Sequence, residues 1–128
     1  MRWLFDTNVF IDAYAGEPRA SKAILVAREK NPEWVGFSAM SRLEVLGCVG
    51  LTPADEVGLR RMLDQFPEVP IDSAIIEKAI RIRQEVRIKS PDAIIAATAL
   101  LSDAELVTRN VEDFKRVLGL KLIDTNAI

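Results

Sequence analysis

Short apolar runs of two to five residues recur along this chain, and each gap between them holds a stretch with helical spacing. Trp3-Leu4-Phe5 opens the series and stops at Asp6; Trp34 to Phe37, Pro67 to Ile71, Leu106-Val107 and Leu120 to Ile123 continue it. Val9, Phe10, Ala13 and Tyr14 suit a short helix after the first run. Ala20, Ala23, Ile24 and Ala27 mark a helix over 19–30 that Pro32 stops. Ser38 or Ser41 opens another through Leu46, ending near Gly47 or Gly50, and Thr52-Pro53 starts one that runs to about Phe66. Ile75, Ala79, Ile82 and Val86 form the core stripe of a helix from about Ser73 to Arg87. Ser90-Pro91 caps a helix over Asp92 to Leu101, apolar nearly all round and so expected to be buried. Strands separated by helices imply parallel pairing with helices on both faces of one sheet. The expected fold is therefore α/β with about five parallel strands, and 128 residues suit a single domain over 1–128.

Residue counts narrow the chemistry sharply. The chain has no histidine, which excludes imidazole acid/base work, His-dependent triads and His-ligated metals. One cysteine, Cys48, excludes an intrachain disulfide and any multi-cysteine metal site. Carboxylates, amines, hydroxyls or an oxygen-held metal must do whatever chemistry there is. Lys and Arg total 17 against 19 Asp and Glu, a net charge of −2, so nucleic acid would have to be held by a local basic patch. No uncharged run exceeds ten residues, the length of Ala93 to Ser102, far short of the roughly 20 a membrane span needs. The first residues carry no signal-peptide apolar region, so a cytoplasmic protein without a membrane partner is expected.

Four places put acids or amides just after a strand or early in a helix: Asp6-Thr7-Asn8, Glu44, Asp92, and Thr108-Arg109-Asn110 through Asp113. Each has a local explanation. Asp6 or Asn8 can cap the helix that follows, Ser41-x-x-Glu44 fits a capping box, Asp92 suits the positive end of its helix, and Asn110-x-x-Asp113 reads as one more cap. Together they mean more. In a parallel sheet the strand carboxyl ends and the following helix starts share one rim, where ligands bind. Asp6, Asp92 and the Asn110–Asp113 turn should converge there, and Glu44 should point back towards it. Clustered carboxylates repel unless a cation or raised pKa values offset the repulsion. Oxygen ligands without His or Cys select Mg²⁺ or Mn²⁺.

The segments Leu4-Phe5-Asp6-Thr7-Asn8-Val9-Phe10-Ile11-Asp12, Ser41-Arg42-Leu43-Glu44, Ser90-Pro91-Asp92-Ala93-Ile94-Ile95-Ala96-Ala97-Thr98-Ala99 and Leu106-Val107-Thr108-Arg109-Asn110-Val111-Glu112-Asp113-Phe114 occur in the order and spacing of a PIN domain. Within that superfamily the chain most resembles the VapC-type toxins of prokaryotic toxin–antitoxin pairs, over essentially its whole length. The resemblance implies a three-layer α/β/α sandwich and Mg²⁺- or Mn²⁺-dependent cleavage of RNA. It places an acidic quartet on Asp6, Glu44, Asp92 and the last turn, and implies a homodimer and a small antitoxin partner. Many PIN domains have Asp where this chain has Asn110, which makes Asp113 the candidate for the fourth acid.

On this reading Asp6 and Asp92 ligate the ion directly, Glu44 acts through water or as the base, and Asp113 completes the site or holds a second, substrate-recruited metal. Thr7, Asn8, Thr108, Arg109 and Asn110 are candidates for positioning water or phosphate, with Arg109 the phosphate contact. Arg42, Lys115 and Arg116 add cations near the rim, whereas Lys78, Arg81, Arg83, Arg87 and Lys89 read as a solvated helix face. Trp3 and Trp34 read as core. Two other readings stay open. A haloacid-dehalogenase-type phosphohydrolase would use Asp6 as nucleophile but wants an acid at Asn8, and a binding module could keep the acidic pocket without catalysis.

Overall fold

The computed structural model describes residues 1–30 and 32–128. Five strands, β1 (Arg2–Phe5), β2 (Trp34–Ser38), β3 (Glu68–Val69), β4 (Glu105–Thr108) and β5 (Leu122–Asp124), form one all-parallel sheet in the order β3-β2-β1-β4-β5. Seven helices among the described residues connect them: α1 (Thr7–Tyr14), α2 (Pro18–Glu29), α3 (Ala39–Leu46), α4 (Pro53–Leu63), α5 (Ser73–Glu85), α6 (Ser90–Leu101) and α7 (Val111–Phe114). This is the expected three-layer α/β/α architecture. The chain builds outward from β1 through β2 to β3, then returns to β1's other side for β4 and β5. The order therefore reverses between β1 and β4, and a parallel sheet opens its crevice at that point.

The two cores follow from strand alternation. Leu4 and Leu106 face one layer, against Ile75, Ala79 and Ile82 of α5, the buried face of α6, and Phe114 of α7. Trp3, Phe5 and Val107 face the other, against Val9 and Phe10 of α1, α2 and α4. Phe10 meets Phe5 and Phe37 edge-on, with centroids 5.7 and 5.3 Å apart, which pins α1 to the central strands. As expected, α6 is buried through Ala93, Ile95, Ala96, Ala97, Thr98 and Ala99. Trp3 is buried in the core, and Trp34 packs over Gly36, where any Cβ would strike the indole and the Pro67 carbonyl.

Several local expectations are corrected. Of the two expected openings of α3, Ser38 is the one used: β2 runs on to Ser38, the helix begins at Ala39, and the Ser38 hydroxyl accepts from the Met40 amide at 3.0 Å. Ser41 therefore lies inside the helix and cannot open a capping box with Glu44. The true box lies at Thr52 and Asp55, at the start of α4. That helix stops at Leu63, short of Phe66, whose ring turns back onto Phe5 with centroids 5.2 Å apart. Lys89, not Ser90, is the residue before α6, and no side chain caps that helix. Helix α5 stops at Glu85 because Val86 is already extended.

Candidate active site

Asp6 leaves the central strand β1 directly into α1, at the crevice between β1 and β4. It is only 4% exposed. Its Oδ1 accepts from the Thr7 amide at 2.8 Å, and its Oδ2 accepts from Asn8 Nδ2 at 2.9 Å and Thr108 Oγ1 at 2.7 Å. Asp6 is thus the cap of α1 and also the hub of the pocket. A carboxylate offers about four lone-pair positions, so the three donors leave one on Oδ1 open. Burial, the largest influence, raises the Asp6 pKa; the Thr108, Thr7 and Asn8 hydrogen bonds work against this, and the Glu44 charge adds to it.

Thr108 closes the link across the switch point. Its hydroxyl donates to Asp6 and accepts from the Asn110 amide at 2.9 Å, so one side chain both orients the buried acid and shapes the turn after β4. Glu44 arrives from α3. Thr7 Oγ1 donates to Glu44 Oε1 at 2.7 Å, which leaves Ser41 as the donor in the 2.9 Å contact between the Ser41 and Thr7 hydroxyls. The chain Ser41, Thr7, Glu44 fixes one carboxylate oxygen and leaves Oε2 without a protein partner among the described residues. Ser41 was not among the sequence candidates, because its pattern with Glu44 mimics a cap. Only the docking of α3 against α1 shows its use.

Asp92, in the first turn of α6, accepts no hydrogen bond from the described residues. Its pKa is pushed up to about 6, first by burial and then by the charges of Asp6, Asp113 and Glu44, with Lys89 acting in the opposite direction. Those three acids come from the β1–α1 junction, α7 and α3, so the tertiary fold brings all four carboxylates into one electrostatic neighbourhood. Asp113 lines a cleft together with Asp92. Asn110 stands at the start of α7, its amide on Thr108 and its Oδ1 3.5 Å from Arg109 Nη1. Arg109 itself is held in an ion pair with Asp12 of α1, Nε to Oδ2 at 2.6 Å, which ties the β4–α7 turn to α1. Arg42 is likewise paired, with Glu68 of β3.

The donor set is all oxygen, and it suits a hard divalent cation. The Asp92 carboxylate has no protein donor, Asp6 has one free lone pair, and the buried Asn8 Oδ1 beside Asp6 has no partner. Among the described residues no three acids already converge as a chelate. That pattern fits an ion held by one or two carboxylates and completed by water, as Mg²⁺ commonly is. A covalent role for Asp6 fits poorly. Both of its oxygens are hydrogen-bonded, and Asn8, at the position a second acid would need, donates to it.

A parallel α/β/α domain with an acidic, all-oxygen pocket at its switch point is the class these observations define. Within it, the chain belongs to the PIN domain family, whose model matches residues 3–120. It is 29% identical over 116 residues to the ribonuclease VapC19 of Mycobacterium tuberculosis, covering 87% of this chain and 90% of that one. Among solved structures it is similar to a toxin–antitoxin complex from Klebsiella pneumoniae, at 35% identity and a TM-score of 0.80, covering 95% of this chain and 96% of that one. VapBC2 from Rickettsia felis, solved with a DNA fragment from its promoter, shares the fold at a TM-score of 0.83 and 23% identity, covering 97% and 98% of the two chains. No helix of the described residues is long and apolar enough to cross a membrane.

Proposed function

We propose that this chain is a divalent-metal-dependent endoribonuclease of the VapC type, the toxin of a toxin–antitoxin pair. The observation that carries the proposal is Asp92: half-buried, without a hydrogen-bond donor, and facing the charges of Asp6, Asp113 and Glu44. Such an arrangement costs stability unless a cation shares it. Asp6 and Asp92 would hold Mg²⁺ or Mn²⁺, with Glu44 and Asp113 completing the charge around it. When bound, the ion supplies Lewis acidity, acidifying water and neutralising charge on the phosphoryl oxygens.

The remaining work falls to the chain's own side chains. Thr108, Thr7 and Asn8 hold Asp6 in one orientation, so the acid needs no rearrangement when substrate enters. Glu44, fixed through Thr7 and Ser41, keeps Oε2 available to take the proton of an attacking water. With no histidine in the chain, a carboxylate so placed is the base available at this pocket. The relatives named above extend the reading to partners. VapBC complexes and the Klebsiella toxin–antitoxin complex share this fold, which supports a small antitoxin that covers the site, and the family resemblance supports a homodimer.

The test is cleavage of single-stranded RNA by purified protein. Cutting should require millimolar Mg²⁺ or Mn²⁺, stop with chelator and be lost in Asp6→Asn. Wild-type cleavage that survives chelation would overturn the metal assignment. A second reading, in which the pocket only binds a partner, draws on the lack of a ready chelate among the described residues. Protein that binds divalent ions yet never cuts RNA would favour it.

A further inference from the structure

Beside the acidic pocket lies a cleft of about 450 Å³ between the α5–α6 turn and α7, with Asp92 and Asp113 on its wall. Its five cations come from both sides of that gap, although they are separate in sequence. Two of them are engaged within the fold. Arg83 Nε donates to the Ile88 carbonyl at 3.2 Å and shapes the turn, and Lys115 pairs with Glu112 at 2.6 Å. Arg87, Lys89 and Arg116 have no ion-pair partner among the described residues. Counted with the three acids that share the lining, Asp92, Glu112 and Asp113, the cleft still carries five cations against three carboxylates, a local positive surplus in a chain of net charge −2. By contrast, the cleft at the opposite end of the sheet, about 270 Å³, mixes Arg2 and Lys121 with Glu33, Asp103 and Glu105 and shows no such excess.

We infer that this cleft grips the phosphodiester backbone of single-stranded RNA beside the bond to be cut, through Arg87, Lys89 and Arg116. The inference rests on reading the acidic pocket as a ribonuclease site, and it assigns the substrate's path to residues outside that pocket. Lys89 joins the two regions, standing immediately before α6 and three residues from Asp92. Val86 and Ile88 lie between the cations and offer apolar surface to ribose or base, but no aromatic ring lines the cleft. Without a stacking platform the grip reads charge rather than sequence. An acidic peptide would meet the same cations and then the repulsion of Asp92 and Asp113, whereas a polyphosphate chain brings the phosphate that a cation at those acids would engage.

The experiment measures binding of a fluorescent single-stranded RNA oligonucleotide to the full chain over a salt series in EDTA, which withholds the ion the proposed cleavage needs. Arg87→Gln/Lys89→Gln/Arg116→Gln should lose about tenfold or more in affinity at 100 mM salt. Its log–log salt slope should fall by about 2, at roughly 0.7 per single-strand phosphate contact. Arg87→Lys/Arg116→Lys should keep most of the affinity. Lys22→Gln/Arg28→Gln/Arg61→Gln removes as many charges from exposed positions of α2 and α4, in the opposite layer, and should bind as wild type. Melting curves for each variant establish that it is folded. Equal binding by wild type and the cleft variant, or equal loss in the α2/α4 variant, would overturn the inference. So would polyglutamate of matched charge displacing the oligonucleotide as well as unlabelled RNA does. Wild-type protein that binds in this way but cuts no RNA with Mn²⁺ would uphold the cleft and overturn the ribonuclease reading instead.

Discussion

Asp92→Asn should make the metal-free protein more stable at neutral pH. Asp92 accepts no hydrogen bond among the described residues, so the amide loses no partner and only the charge disappears. A carboxyl whose pKa moves from 3.8 to about 6 corresponds to about 3 kcal/mol of unfavourable ionisation at neutral pH. Solvent still reaches this half-buried group, and screening reduces the working figure to about 1–2 kcal/mol. The sign follows from linkage: the folded state holds the proton more tightly than the unfolded chain. The associated stability is therefore full below pH 3.8 and is lost as pH rises through about 6. Wild type and Asp92→Asn should melt alike near pH 4, separate between pH 4 and 6, and keep a constant gap above that. At about 4 °C per kcal/mol for a chain of this size, the mutant should melt roughly 4–8 °C higher at pH 7.5. Adding Mn²⁺ should raise the wild-type melting temperature by mass action and raise the mutant's less. The assay is differential scanning fluorimetry across pH in EDTA, then with the ion. Melting temperatures that stay parallel from pH 4 to pH 8, or a mutant that melts lower at pH 7.5, would refute the shared acidic pocket.

Glu44→Gln keeps an oxygen to accept from Thr7, so its melting temperature should hold or rise, while RNA cleavage should drop by about two or more orders of magnitude. A wild-type rate would return Glu44 to a structural role. Thr108→Val removes the 2.7 Å donor to Asp6 and should cost about 1.5–3 kcal/mol in urea denaturation, the usual cost of losing a bond to a charged group. An unchanged midpoint would show that Asp6 does not depend on that hydroxyl. Gly36→Ala places a methyl group against the Trp34 indole and the Pro67 carbonyl, and should destabilise by about 1–3 kcal/mol with a shift in tryptophan emission. Light scattering over a concentration series should give twice the 14.3 kDa chain mass for a homodimer, and a constant monomer mass would remove that proposal.

The sequence by itself determined the layers and the rim. Strand alternation at Trp3-Leu4-Phe5 sends one residue to each core in turn, and the near-continuous apolar run of α6 can only be buried. Once the sheet is parallel, the residue after each strand must lie at the carboxyl end, so Asp6 and the Thr108–Asp113 turn were legible without coordinates. The tertiary structure decided which local pattern meant what. Ser41-x-x-Glu44 has the spacing of a cap, but a strand that continues to Ser38 moves the helix start. Ser41 and Glu44 then meet Thr7, more than 30 residues away. Arg109 pairs with Asp12 across 97 residues, a partner no local window contains. The cations from Lys78 to Lys89 look alike along the chain. Only the packing of α7 beside the α5–α6 turn separates those that line the cleft from those that do not. Periodicity and strand ends are local properties that a sequence records directly. Hydrogen-bond partners and charge neighbourhoods depend on distances between elements, and those exist only after the chain has folded.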